Sequence, residues 1–130
     1  MHTDLIYLGC TAMLTAALWI PHVVSQVMAH GPLKPANYRD PTPRLLPPWG
    51  KRAERTHLNA VEAFAPFAAL VIAAHLLGKT SARVDFYVEC FFWLRVAHAV
   101  VYLGAIPYVR TLVFTLGFLA EVGIFWELVR

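Results

Sequence analysis

Charge is scarce in this sequence. Only 15% of its 130 residues are Asp, Glu, Lys or Arg, against 58% hydrophobic ones, a balance too apolar for a soluble domain of this size. A separate water-soluble catalytic domain is thereby excluded. Cysteine is scarcer still: Cys10 and Cys90 stand far apart in apolar surroundings and form no CxxC, so neither a redox relay nor a zinc site is expected, and no metal at all. Both are read as core thiols. No basic arm is present either. The net charge of +3 arises from residues beside and inside apolar segments, which argues against nucleic acid and for anionic lipid or a small anion. The first apolar segment has no basic stretch ahead of it and outruns a signal-peptide core, so it is expected to be retained. No internal repeat is evident.

What is present is lipid-length apolar sequence. A span needs about 20 residues, which gives this chain room for four helices and short links in one domain, residues 1–130. The expected fold is an all-α integral membrane protein, a four-helix bundle with helices at about 4–28, 51–77, 83–103 and 107–129. Asp4 suits the cap of the first helix, and Pro21 with His22 marks a kink; His22, near the end of the span, is read as meeting interfacial water or backbone. Between His30 and Gly50 six prolines predict an extended, stiff excursion over the membrane surface. There Tyr38 and Trp49 suit the headgroup zone, and Arg39 and Asp40 form a solvated turn. Lys34, Arg39, Arg44, Lys51, Arg52 and Arg55 flank this loop, against Lys79, Arg83 and Arg130 on the other side. The first loop is therefore expected to be cytoplasmic, with both termini opposite.

Polar residues inside the spans follow helical periodicity. Arg52, Arg55, Asn59, Glu62 and Pro66 fall within an arc of roughly 80°, with His57 roughly opposite. Pro66 is expected to kink its helix and free a carbonyl. On the third helix Arg95, His98 and Tyr102 share an arc of about 60°. Arg95 has no acidic neighbour on its own face, so it requires a partner from another helix, with Glu62 the obvious one, or an anionic ligand. On the fourth helix Arg110, Phe114, Gly117 and Glu121 share a face, Arg110 near the mouth of a cleft or snorkelling to lipid phosphate, Glu121 deeper and either paired with an arginine or protonated. Ionisable groups at such depth face a bundle interior, a subunit interface or a watery cavity. Together they suit a zwitterion with surplus carboxylates.

The segment RAERTHLNAVEAFAPF, starting at Arg52, resembles the RxxRAHxNxxExxxPF signature of the membrane-associated eicosanoid and glutathione metabolism family, MAPEG. RVAHAVVYLGAIPYVRTLVFTLG, starting at Arg95, is similar to the RxxHxxxY…R segment of its microsomal glutathione transferases and prostaglandin E synthase. The resemblance implies a homotrimer in which glutathione lies bent between neighbouring subunits. It implies that Arg52, Arg55, Asn59 and Glu62 hold the tripeptide, Glu62 at its ammonium and Arg55 at a carboxylate. Arg95, His98, Tyr102 and Phe114 complete the binding set. Arg110 is implied to stabilise the glutathione thiolate, and Thr111 to offer its hydroxyl to the sulfur. The chain departs from the pattern at Glu54, where transferases often have arginine, at Phe114, which replaces a tyrosine, and in a turn before Arg110 one residue shorter. Its proline-rich loop is similar to that of a prokaryotic branch, which implies the cell inner membrane.

The implied chemistry is conjugation or peroxide reduction of a hydrophobic electrophile arriving from the lipid. Lowering a thiol from about 8.5 to about 6.5 takes about 2.7 kcal/mol of preferential anion stabilisation. A unit charge pair at 4 Å is worth about 4 kcal/mol at an effective dielectric of 20, so one arginine suffices. Three other functions fit parts of the sequence: a non-catalytic lipid-binding scaffold of the same family, a haem carrier using His22, His57, His75 or His98, and a proton-coupled exporter using Glu62 or Glu121.

Overall fold

The computed structural model describes residues 2–130 except 33, 40, 41 and 43, without the side chains of Asn37 and Tyr38. The expected Arg39–Asp40 turn and the headgroup placement of Tyr38 lie outside the described residues. Among the described residues six helices are present: α1 Thr3–Ala17, α2 Trp19–His30, α3 Pro35–Arg39, α4 Pro48–Leu76, α5 Ala82–Leu103 and α6 Val109–Val129. Four helical runs are long and apolar enough to cross a membrane: Thr3–His30 taken across its break, α4, α5 and α6. No strand occurs among the described residues, and the chain is an all-α integral membrane protein.

The first run is two helices where one was expected, and proline chemistry explains where it breaks. Pro21 has no N–H, and its ring crowds the carbonyl four residues earlier, that of Ala17. Ala17 is the last residue of α1, and Leu18 forms the joint, at φ −70° and ψ −9°. The break thus lies one turn ahead of the proline. The same residue type corrects the loop. Pro35 opens the short helix α3 and Pro48 opens α4, three residues before the expected start at Lys51. A first helical position needs no N–H and welcomes a fixed φ, so these prolines start helices instead of forbidding them.

At its far end α4 is closed by Gly78, whose φ of 65° reverses the chain. Ser81 then caps α5, its hydroxyl accepting from the Val84 amide at 3.3 Å. α5 and α6 pack along most of their length, brought close where Gly123 faces the Tyr87 ring: a Cβ there would lie 2.8 Å from ring carbons. A second close approach joins α2 to α4, where a Cβ on Gly50 would meet Ser25 Cβ at 2.9 Å.

The packed core lies between α4, α5 and α6. Phe67 stacks on Phe91 with ring centroids 3.9 Å apart and planes 10° from parallel. Val71, Ala74, Val84, Val88, Ala120 and Ile124 close around the pair. Buried hydroxyls return to their own helices: Thr11 donates to Tyr7 O at 2.7 Å, Ser25 to His22 O at 2.6 Å and Thr56 to Arg52 O at 2.7 Å. Among the few bonds between helices, the Tyr7 hydroxyl donates to Glu89 Oε1 at 3.1 Å. The cysteines are not core thiols. Cys10 is exposed and Cys90 is half-buried. In lipid an outward position is as apolar as an inward one, so burial is not what a cysteine reports.

Candidate functional site

The residues of the three polar stripes meet at the arginine-bearing ends of α4, α5 and α6. Three adjoining cavities run between these helices. The outermost, about 570 Å3, is lined by Arg52, Tyr102, Pro107, Tyr108, Arg110 and Thr111. The next, about 290 Å3, is lined by Asn59, His98, Tyr102, Arg110, Thr111 and Phe114. The innermost, about 200 Å3, is lined by Asn59, Glu62, Pro66, Phe91, Arg95, Phe114, Gly117, Phe118 and Glu121, with Ala63. The first two share Tyr102, Arg110 and Thr111, and the last two share Asn59 and Phe114. A continuous cleft thus descends from a cationic mouth to a floor carrying two carboxylates.

Its walls are held in specific ways. At the mouth Arg52 Nε donates to the carbonyl of Leu103 at 3.4 Å, bridging the second turn of α4 to the last turn of α5, where unpaired carbonyls collect. Arg110 stands in the first turn of α6 with its guanidinium 4.9 Å from the centroid of the Tyr102 ring, a cation–π contact that fixes a long side chain. The turn delivering Arg110 is strained: Ala105 at φ 57° and Tyr108 at φ 64° hold left-handed backbone without being glycine. Such residues cost of order 1–3 kcal/mol each and persist where surrounding structure dictates them, often at functional sites.

Deeper in, Arg95 finds a partner other than the expected one. Its Nη2 donates to Asn59 Oδ1 at 2.9 Å, and among the described residues no ion pair involves Glu62. An amide satisfies one face of the guanidinium without cancelling its charge, so the cleft keeps a net cation beside Glu62 and Glu121. Pro66, one turn after Glu62, supplies no N–H to the Glu62 carbonyl, and α4 nevertheless runs unbroken through it from Pro48 to Leu76. The freed carbonyl belongs to the same cleft wall. Two buried polar atoms there have no hydrogen-bond partner, His98 Nδ1 and Glu121 Oε1. Buried polar atoms are normally paired, and orphans lining one cleft mark a place for a polar ligand.

Of the residues singled out from sequence, Arg52, Asn59, Glu62, Arg95, His98, Tyr102, Arg110, Thr111 and Phe114 line the cleft. Arg55 is exposed on α4 and lines none of the three cavities. Phe118 and Tyr108 carry no sequence signal of their own; Glu121, expected to pair with an arginine or to be protonated, lines the floor of the cleft. His22 meets a side chain, Gln26 one turn on, at 3.3 Å between their Nε2 atoms.

No curated protein matches the chain. The model of the MAPEG family matches residues 5–130, nearly the whole length and all three polar stripes that build the cleft, and the chain belongs to that family.

Proposed function

We propose that the protein is a glutathione-dependent membrane transferase or peroxidase acting on hydrophobic electrophiles, with the glutathione thiolate held by Arg110. Its family includes glutathione transferases and related membrane proteins. The observation that carries the reading is the cleft itself: cations at the mouth, carboxylates at the floor and two orphaned buried atoms along it, His98 Nδ1 midway and Glu121 Oε1 at the floor. That order matches a zwitterionic tripeptide with surplus carboxylates.

In this reading Glu62 takes the ammonium, Arg95 and Arg55 take carboxylates, and Asn59, His98 and Tyr102 fix the backbone. Arg110 faces the sulfur, and Thr111 donates its hydroxyl to it. The thiolate attacks the electrophilic carbon, a new S–C bond forms, and the leaving group departs with its electron pair. Phe114 and Phe118, both exposed, give the cleft an apolar side through which a lipid-borne substrate enters. Arg55 and Glu62 are exposed in a single chain, and charged groups at membrane depth need cover. A homotrimer with glutathione between neighbouring subunits supplies that cover. A cytoplasmic first loop in the inner membrane turns the mouth toward the cytosol.

Calorimetric titration of the detergent-solubilised protein with glutathione tests the reading, alongside native mass spectrometry. The expected result is one site per subunit in a trimer. Glu62→Gln is expected to weaken binding by about tenfold or more, the worth of one charge-assisted hydrogen bond, with the trimer intact. A second reading, a non-catalytic lipid-binding scaffold, draws on an outward groove of about 700 Å3 lined by Phe86, Trp93, Leu116 and Leu119. Lipid retained in the groove with no heat on adding glutathione is the result that favours it.

A further inference from the structure

The cleft leaves one cluster of ligating side chains unused, at the other end of the bundle. His75 lies in the last turn of α4 and Arg52 in its first turns, about 35 Å apart at 1.5 Å per residue. There His75 Nδ1 donates to Asp4 Oδ2 at 2.7 Å. His2 joins them, its ring edge-on to that of His75 with centroids 5.2 Å apart and planes at 71°. One ligating atom from each of His2, Asp4 and His75 falls within a sphere where all three lie no more than 4.8 Å from one another.

We propose that His2, Asp4 and His75 form a site for one divalent transition-metal ion of the zinc class, which staples the start of α1 to the end of α4. Charge is the first argument. Asp4 is 2% exposed, and no lysine or arginine pairs with it among the described residues. A buried carboxylate needs compensation, and a single neutral imidazole offers a hydrogen bond but no charge. Donor chemistry is the second. Two imidazoles and a carboxylate are the set that first-row divalent ions favour, whereas calcium and magnesium prefer oxygen alone. Geometry is the third. Ligands about 2.0–2.1 Å from a tetrahedral ion stand about 3.3 Å apart, so Nδ1 and Oδ2 need separate by only about half an ångström. The ion takes the place of the proton on Nδ1, which moves to Nε2 of the same ring, so His75 binds as a neutral imidazole. Access is the fourth: His2 is exposed, so the ion enters from the aqueous side and keeps water in its remaining position.

Untagged, full-length protein in detergent, free of glutathione, is titrated with Co2+ and then with Zn2+. The expected results are visible d–d absorption saturating at one Co2+ per chain, displacement by Zn2+, and a rise in melting temperature. His2→Gln tests the site without threatening the fold, since His2 is exposed and caps α1 with no side-chain hydrogen bond. It is expected to weaken Co2+ binding by more than about tenfold. Asp4→Asn, which removes the charged ligand, is expected to weaken Co2+ binding by more than about tenfold. Absence of d–d bands and of any thermal shift in the wild type overturns the proposal. So does a His2→Gln variant that binds Co2+ as the wild type does.

Discussion

Between the same three helices, two neighbouring layers are built by opposite rules. Toward the His75 end of α4, Phe67, Val71, Val84, Val88 and Ile124 close on one another in an apolar cluster, and among the described residues none of its buried side-chain atoms is an unpaired polar one. Toward the Arg52 end the helices stand around a cleft whose polar atoms are incompletely bonded. Phe91 belongs to both layers, stacked on Phe67 on one side and walling the innermost cavity on the other. The contrast separates residues that hold the helices together from residues held in readiness. A bundle stabilised only by its dry layer can tolerate an under-packed, charged one beside it.

That division can be broken by substitution. We predict the largest effect for Phe67→Ala in the dry layer, a loss of about 3–5 kcal/mol in unfolding free energy, the usual range for emptying a buried aromatic site. Thermal or detergent unfolding measures it. If the glutathione affinity of the folded variant fell as well, the layers would not be separate. Next in size comes Arg110→Ser. Glutathione should remain bound while its thiol returns toward its free value, cutting the thiolate at neutral pH by about 20-fold. The ultraviolet absorbance of the bound thiolate, titrated with pH, reports this directly. An unchanged titration would assign the thiolate to another residue and leave Arg110 at the lipid phosphate.

A sharper test of readiness is Glu121→Leu, because its sign opposes that of a core substitution. Removing an orphaned acid is expected to raise the stability of the ligand-free protein by about 1 kcal/mol while weakening glutathione binding. Loss of stability would mean that Glu121 has a structural partner after all. The smallest effect is expected for Thr111→Val. One neutral hydrogen bond to sulfur contributes about 1 kcal/mol, so the rate should fall about fivefold or less and the binding heat stay as it was.

Much of the cleft was legible in the sequence because helical periodicity is a strong signal where every polar residue is an exception. Asn59, Glu62 and Pro66 on one helix, Arg95, His98 and Tyr102 on the next, and Phe114, Gly117 and Glu121 on the last each repeat at three to four residues, and each set lines the cleft. What periodicity does not carry is pairing across helices. Arg95 was given the nearest opposite charge, Glu62, yet bonds Asn59. Side-chain reach, which decides between an amide and an acid one turn apart, leaves no mark in spacing. Prolines misled in two ways: Pro21 acts on the carbonyl a turn behind it, and Pro35 and Pro48 sit where a helix begins. The His2, Asp4 and His75 cluster was invisible for the simplest reason, a separation of some seventy residues that only the antiparallel course of α1 and α4 closes.

The hydroxyl groups bear on how this protein comes to exist. Thr11, Thr15, Ser25, Thr56 and Thr115 each bond a carbonyl three or four residues back in the same helix. A segment that satisfies its own hydroxyls enters lipid without waiting for a neighbour, so these spans are suited to leave the translocation machinery one at a time. Among the contacts that need two helices, Tyr7 with Glu89 and Asp4 with His75 bring the first span against segments synthesised later, and Arg95 with Asn59 joins two later ones. Tyr7 and Asp4 therefore lack these partners until α5 and α4 have been made, and completion of the bundle is expected to wait on its second half.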